Sequence, residues 1–83
     1  MSKKKPEPSV AATFGQRVKE QRAVMGVTQQ ELASLAGITR AYVSLIEQGA
    51  REASLTVFVR ICDSMGQAPN WFLEPYIWKL KGK

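Results

Sequence analysis

Apolar residues recur at helical spacing in five short runs. Each run opens on a residue suited to start a helix, and the first four close on a glycine suited to end one. In the first run Thr13 can serve as N-cap, Phe14, Val18 and Met25 fall on one side, and Gly26 is the stop. The second opens with "TQQE", a capping box in which Thr28 and Glu31 exchange side-chain and backbone hydrogen bonds. Leu32, Leu35 and Ala36 supply its apolar contacts, and Gly37 ends it. Thr39 caps the third run, which carries Tyr42, Val43 and Ile46 and ends at Gly49. Ser54 caps the fourth, with Leu55, Phe58, Ile61, Cys62 and Met65 as its stripe and Gly66 as its close. The fifth begins near Pro69 and keeps i, i+3, i+4, i+7 spacing through Leu73, Tyr76, Ile77 and Leu80, with Pro75 expected to start a new helix or kink this one.

No segment alternates as a strand would. The pattern predicts an all-α fold, a compact bundle of about five short helices. Two of them meet across a turn of only a few residues. Such a turn needs one position with positive φ and no side-chain bulk, which Gly37 provides. Ala33 is small enough for close approach there, and Val43 and Ile46 can fill the wedge with Leu32, Ala36 and Ile38. Around this centre the chain divides into a basic arm at residues 1–12, a domain at 13–74 and a C-terminal extension at 75–83.

The stretch "TQQELASLAGITRAYVSLIEQG", residues 28–49, resembles the helix-turn-helix of the lambdoid-phage repressor/Cro-like, or XRE, family. Ala33, Gly37, Ile38, Val43, Ile46 and the "IEQG" ending carry the likeness, which extends from about Phe14 to Leu73. The resemblance implies a lambda-repressor-like DNA-binding domain and a sequence-specific regulator, most simply a repressor on a pseudo-palindromic operator. It places Thr39, Arg40, Ala41, Ser44 and Leu45 on a recognition helix at residues 39–48 that reads base edges in the major groove. Arg40 is the strongest candidate, since a guanidinium pairs with guanine O6 and N7. Ala41 suits a thymine methyl. Leu45 stands where relatives often carry Arg, Lys or Gln, so an apolar contact or none is expected. Gln29, Arg17, Tyr42, Gln48 and Arg51 are the phosphate candidates, with Tyr42 shared between core and phosphate. Arg22 and Glu47 match a scaffold ion pair between the first helix and the end of the third. Ala53 replaces a proline common in the family. Cys62 and Trp71 match core positions.

Composition narrows the chemistry. The chain has no histidine and one cysteine, so one chain cannot assemble a structural zinc site, a His-based triad or an internal disulfide, and no cofactor or metal is expected. The net charge is +5, which suits an anionic partner such as double-stranded DNA. The excess lies at the ends: residues 13–75 hold six basic and six acidic groups. Discrimination should therefore rest on placed side chains rather than bulk charge. No apolar run approaches a membrane span, and the N-terminal lysines precede no long apolar stretch, so a cytoplasmic location is expected.

Trp71, Phe72, Leu73, Tyr76, Ile77, Trp78 and Leu80 crowd ten positions. An apolar cluster of this kind marks an interface. A homodimer is expected through Trp71, Phe72, Tyr76, Ile77, Trp78 and Leu80. An antitoxin-type protein using the same surface for a toxin partner is the alternative reading.

Overall fold

The computed structural model describes residues 9–82 and contains five helices. These are α1 (Val10–Met25), α2 (Gln29–Ala36), α3 (Arg40–Glu47), α4 (Leu55–Met65) and α5 (Pro69–Lys81). Three of the expected caps are in place. Thr28 and Glu31 form the full capping box on α2, Thr39 Oγ1 accepts from Tyr42 N at 3.1 Å on α3, and Ser54 Oγ accepts from Val57 N at 3.2 Å on α4. Each cap satisfies a backbone donor that the first helical turn leaves without a partner.

α1 starts earlier than Thr13. Ser9 Oγ accepts from Ala12 N at 2.9 Å, so residues 10–12 join the helix and not the arm. A serine preceding Val-Ala-Ala caps as well as Thr13 would, and the longer helix forms one more turn. The rest of the expected arm, residues 1–8, lies outside the described residues. The proposed boundary at residue 75 also falls inside an element. α5 runs unbroken through Pro75, which gives up one backbone donor without ending the helix.

The core gathers Phe14 and Val18 from α1, Leu32, Ala33 and Ala36 from α2, Val43 and Ile46 from α3, Val57, Ile61, Cys62 and Met65 from α4, and Phe72 from α5. α2 packs on α3 and α4, while α1 spans the bundle from α3 to α5. The Phe14 ring centroid stands 5.0 Å from Phe58 and 5.4 Å from Phe72, a tilted cluster that fixes α5 against α1 and α4. Three apolar residues read on the inner stripes face solvent instead: Met25 is 37%, Leu35 60% and Leu55 78% exposed. Each lies on the correct helix but at the edge of its stripe.

Of the glycines in the described residues, Gly15 meets the tightest surroundings, and the sequence pattern assigns it no role. A Cβ there would collide with the Ile46 carbonyl oxygen. α1 therefore lies flush against the end of α3. Gly37, by contrast, is needed for its backbone: φ is 71°, in the left-handed region, and its N–H is turned back to the last carbonyls of α2. Among the described residues no helix is long and apolar enough to cross a membrane.

Candidate nucleic-acid interface

α3 is an eight-residue helix with two buried residues, Val43 and Ile46, on its inner side. Positions 40, 41, 44, 45 and 48 follow one another at i, i+1, i+4, i+5 and i+8, so they share the opposite side. Arg40, Ala41 and Gln48 are exposed, Ser44 is half-buried, and Leu45 is 37% exposed. Thr39 stands at the helix entrance with its oxygen engaged by the Tyr42 amide. Arg40 has no hydrogen-bond or ion-pair partner among the described residues, so its guanidinium is free to reach outward. Ser44 Oγ accepts from Gln48 Nε2 at 2.8 Å. That bond aligns the two side chains along the helix and leaves the serine hydroxyl proton available to an acceptor.

The base of this surface is rigid. Arg22 grips Glu47 with two bonds, Nε to Oε2 at 2.8 Å and Nη2 to Oε1 at 3.0 Å, and gives a third from Nη1 to the Val27 carbonyl at 3.1 Å. The Glu47 side chain is 4% exposed and the Arg22 side chain 20%. The bonds to Glu47 hold the Arg22 pKa above its ordinary value, outweighing the opposing effect of burial. Gln29 joins the same carboxylate, with Nε2 at 3.0 Å from Glu47 Oε1. One side chain of α3 thereby ties α1 and the first residue of α2 together. Gln29 spends one amide hydrogen inside this network, so it positions the start of α2 as well as presenting its remaining polar atoms.

The loop after α3 adds a second outward cluster. Tyr42 Oη accepts from the backbone N–H of Ser54 at 3.1 Å, which pins the loop to α3. That bond, with the nearby Arg51 charge, holds the Tyr42 pKa below its ordinary value although partial burial opposes it. The Arg51 guanidinium lies 5.0 Å from the Tyr42 ring centroid, a cation–π arrangement. Because Oη accepts from the protein, the hydroxyl proton is left to donate outward beside Arg51. The Tyr42–Ser54 bond could not be read from the sequence, since nothing local to either residue requires it.

Arg17 does not join this surface. Its guanidinium stacks on the Trp71 ring at 4.1 Å and approaches Glu20 and Glu74 at 3.7 and 3.8 Å. Two carboxylates and an aromatic face engage it, so the expectation of a phosphate contact there is corrected: Arg17 fastens α5 to α1. The expected dimer surface is corrected as well. Phe72 is fully buried and belongs to the core, and Trp71 is half-buried under Arg17. Of the remaining residues, Ile77, Trp78 and Leu80 are 37%, 67% and 58% exposed. At about 100° per residue, Ile77 and Leu80 share a face with Leu73, whereas Trp78 lies over Trp71 on another.

Two short helices joined across Gly37, the second capped by Thr39 and presenting the exposed side chains of Arg40, Ala41 and Gln48 on its outer side, define a helix-turn-helix module. Residues 18–72 match the family described as HTH_3, helix-turn-helix, and the chain belongs to this XRE-type family of DNA-binding transcription regulators. It is similar to the Bacillus subtilis HTH-type transcriptional regulator YqaF, with 41% identity over 57 residues, covering 69% of this chain and 75% of that protein. Among solved structures it resembles the restriction-modification controller protein C.AhdI from Aeromonas hydrophila, with 34% identity and a TM-score of 0.72, covering 75% of this chain and 94% of that one. It also resembles the clp gene regulator ClgR from Corynebacterium glutamicum, with 31% identity and a TM-score of 0.78, covering 82% of this chain and 72% of that one.

Proposed function

We propose that the protein is a transcriptional repressor that binds a pseudo-palindromic operator as a homodimer, with α3 in the major groove. The observation that carries this reading is the outer side of α3. Arg40 has no hydrogen-bond or ion-pair partner among the described residues, Ala41 and Leu45 offer apolar contact beside it, and Ser44 is oriented by Gln48. Arg40 reads guanine, while Ala41 and Leu45 meet thymine methyls. Tyr42 and Arg51 hold a backbone phosphate at one end of the helix. At the other, the N-terminus of α2 at Gln29 faces the opposite strand with its unpaired amides. Two copies related by a twofold axis place their recognition helices about 34 Å apart, one turn of B-DNA. Occupation of promoter DNA then excludes polymerase.

The test is footprinting on DNA upstream of the gene, followed by titration of the Arg40→Ala variant. Protection is expected in two symmetric blocks. Arg40→Ala should lose about 1–3 kcal/mol at one base pair of each half-site and relax the preference there. A uniform loss on every sequence would make Arg40 a phosphate contact, and no protection at moderate salt would remove the operator reading.

A further inference from the structure

Between α1 and α5 runs a crevice of about 450 Å³, within the ~300–1,000 Å³ usual for small-molecule sites. Residues 12, 13, 16, 17 and 20 of α1 line one side at helical spacing, and Pro75 and Lys79, one turn apart on α5, line the other. Ala12 and Pro75 give it apolar surface. Its hydrogen-bond donors are in excess. The Arg17 guanidinium makes no hydrogen bond among the described residues. The carboxylate oxygens that approach it, on Glu20 and Glu74, stand 3.7 and 3.8 Å away, contacts of charge and not of hydrogen bonding. Its Nε is buried with no acceptor, although buried donors are ordinarily bonded. The Lys79 ammonium and the Thr13 hydroxyl also have no partner among the described residues. The one acid of the lining, Glu20, is already shared between Arg17 and the Gln16 amide, whose Nε2 lies 3.3 Å from Oε2. Two cations against one carboxylate leave the lining one positive charge in excess. Glu74 approaches Arg17 from α5 without joining the lining.

We propose that this crevice binds a small monocarboxylate with a short apolar body, its oxygens taken by the Arg17 guanidinium, the Lys79 ammonium and the Thr13 hydroxyl, and its body laid along Ala12 and Pro75. Charge-assisted bonds of this kind are the strong ones, and an acceptor-only group is what unbonded donors lack. One negative charge matches the excess of the lining, whereas a doubly charged ligand meets Glu20 and Glu74. The two cations belong to different helices, so an occupant ties α5 to α1. A ligand held only by the folded chain raises its unfolding temperature. No residue of the crevice belongs to α3 or to the loop after it, so the site goes beyond the operator reading and does not depend on it.

The test uses the full chain with phenylacetate as probe, followed by amide chemical shifts and by thermal unfolding. Saturable shifts are expected at residues 12–20 and 75–79, with a raised unfolding midpoint. Phenylacetamide keeps the body without the charge, and acetate and inorganic phosphate are oxyanions without the body. Each should bind at least several-fold more weakly. Lys79 has no partner to lose, so Lys79→Met should leave the fold intact and weaken phenylacetate several-fold. Lys19→Met, which removes an exposed lysine outside the crevice, should not weaken it. Phenylacetamide binding as well as phenylacetate overturns the proposal, because the carboxylate then has no part. Phosphate binding as well as phenylacetate overturns it too, since any anion contact would do that. Shifts centred on α3, or equal weakening by Lys79→Met and Lys19→Met, place the probe elsewhere with the same consequence. No saturable binding at millimolar probe removes the site. None of these readouts uses DNA, so their failure leaves the operator reading untouched.

Discussion

The Arg22–Glu47 pair ties α1, α2 and the end of α3 together, and its removal should cost a definite amount of stability. In Arg22→Met the aliphatic stem stays, but Glu47 keeps only the Gln29 amide. A carboxylate in a side chain that is 4% exposed is then left without its cation. Stranding one member of a buried pair costs about 3–5 kcal/mol. Arg22 is itself 20% exposed, and water can reach the vacated side, so the lower end, about 3 kcal/mol, is the expected loss. A domain of this length has about 4–12 kcal/mol in total. The variant should therefore remain folded but with its urea midpoint sharply lowered, as followed by circular dichroism at 222 nm. Replacing both partners, Arg22→Met with Glu47→Met, removes the charge along with its partner, and most of the loss should return. Two outcomes refute the reasoning. A loss under about 1 kcal/mol for Arg22→Met would class the pair with ordinary surface bridges. Singles that add without coupling in the double variant would show that the two side chains act separately.

Gly15→Ala should destabilise by about 1–3 kcal/mol through its clash with the Ile46 carbonyl, reversing the usual gain of about 1 kcal/mol for this exchange within a helix; a raised urea midpoint would contradict the contact. Phe72→Ala should cost about 3–5 kcal/mol, measured the same way, and a loss as small as a surface truncation would return Phe72 to the exterior. Tyr42→Phe removes the acceptor for the Ser54 N–H and should cost about 1 kcal/mol. Because the folded state lowers the Tyr42 pKa, the phenolate is favoured in the fold, so wild type should gain stability relative to Tyr42→Phe as the pH climbs toward the ordinary value of 10.0 and lose that advantage as it falls; parallel stability profiles across that range would refute the assignment.

Local chemistry was legible in the sequence and distant chemistry was not. The caps at Thr28, Thr39 and Ser54 depend on residues two to four positions away, so spacing alone finds them. The turn at Gly37 was equally plain, because its backbone needs a left-handed residue there. The start of α1 was misplaced since two hydroxyl residues, Ser9 and Thr13, both suit a cap, and only the geometry of Ala12 N selects Ser9. The aromatic cluster near the C-terminus was visible as composition, but its distribution was not. Which of Phe72, Ile77 and Trp78 turns inward depends on how α5 rolls on α1, and that roll is set by Phe14 and by Arg17 against Trp71 and Glu74, more than fifty residues apart in sequence. The same distance hid the true employment of Arg17, whose position between apolar residues of α1 looks like that of any solvent-facing base. Gly15 was passed over because a glycine inside a helix shows no local reason for its presence.

The surface around α3 carries its polar groups in a committed state, and that bears on how discrimination can arise. Thr39 is held by its cap, Ser44 by Gln48, Tyr42 by Ser54 and Gln29 by Glu47. Side chains fixed before contact lose little rotamer freedom on binding, where a free one loses about 0.5–1.5 kcal/mol. Arg40 differs: it is long and has no hydrogen-bond, ion-pair or aromatic partner among the described residues, so it must be ordered by what it meets. On the proposed reading, the fixed groups position the module on the phosphates at small entropic cost, and the guanidinium returns its ordering cost only where a guanine offers both O6 and N7. With residues 13–75 neutral in sum, the helix-turn-helix and its neighbours add little unspecific attraction to mask that difference; the excess charge of the described fold sits at Lys79 and Lys81, at the end of α5. On that reading the near balance of charge through residues 13–75 and the reach of one arginine would act together, the first limiting the pull on arbitrary DNA and the second making the remaining affinity conditional on sequence.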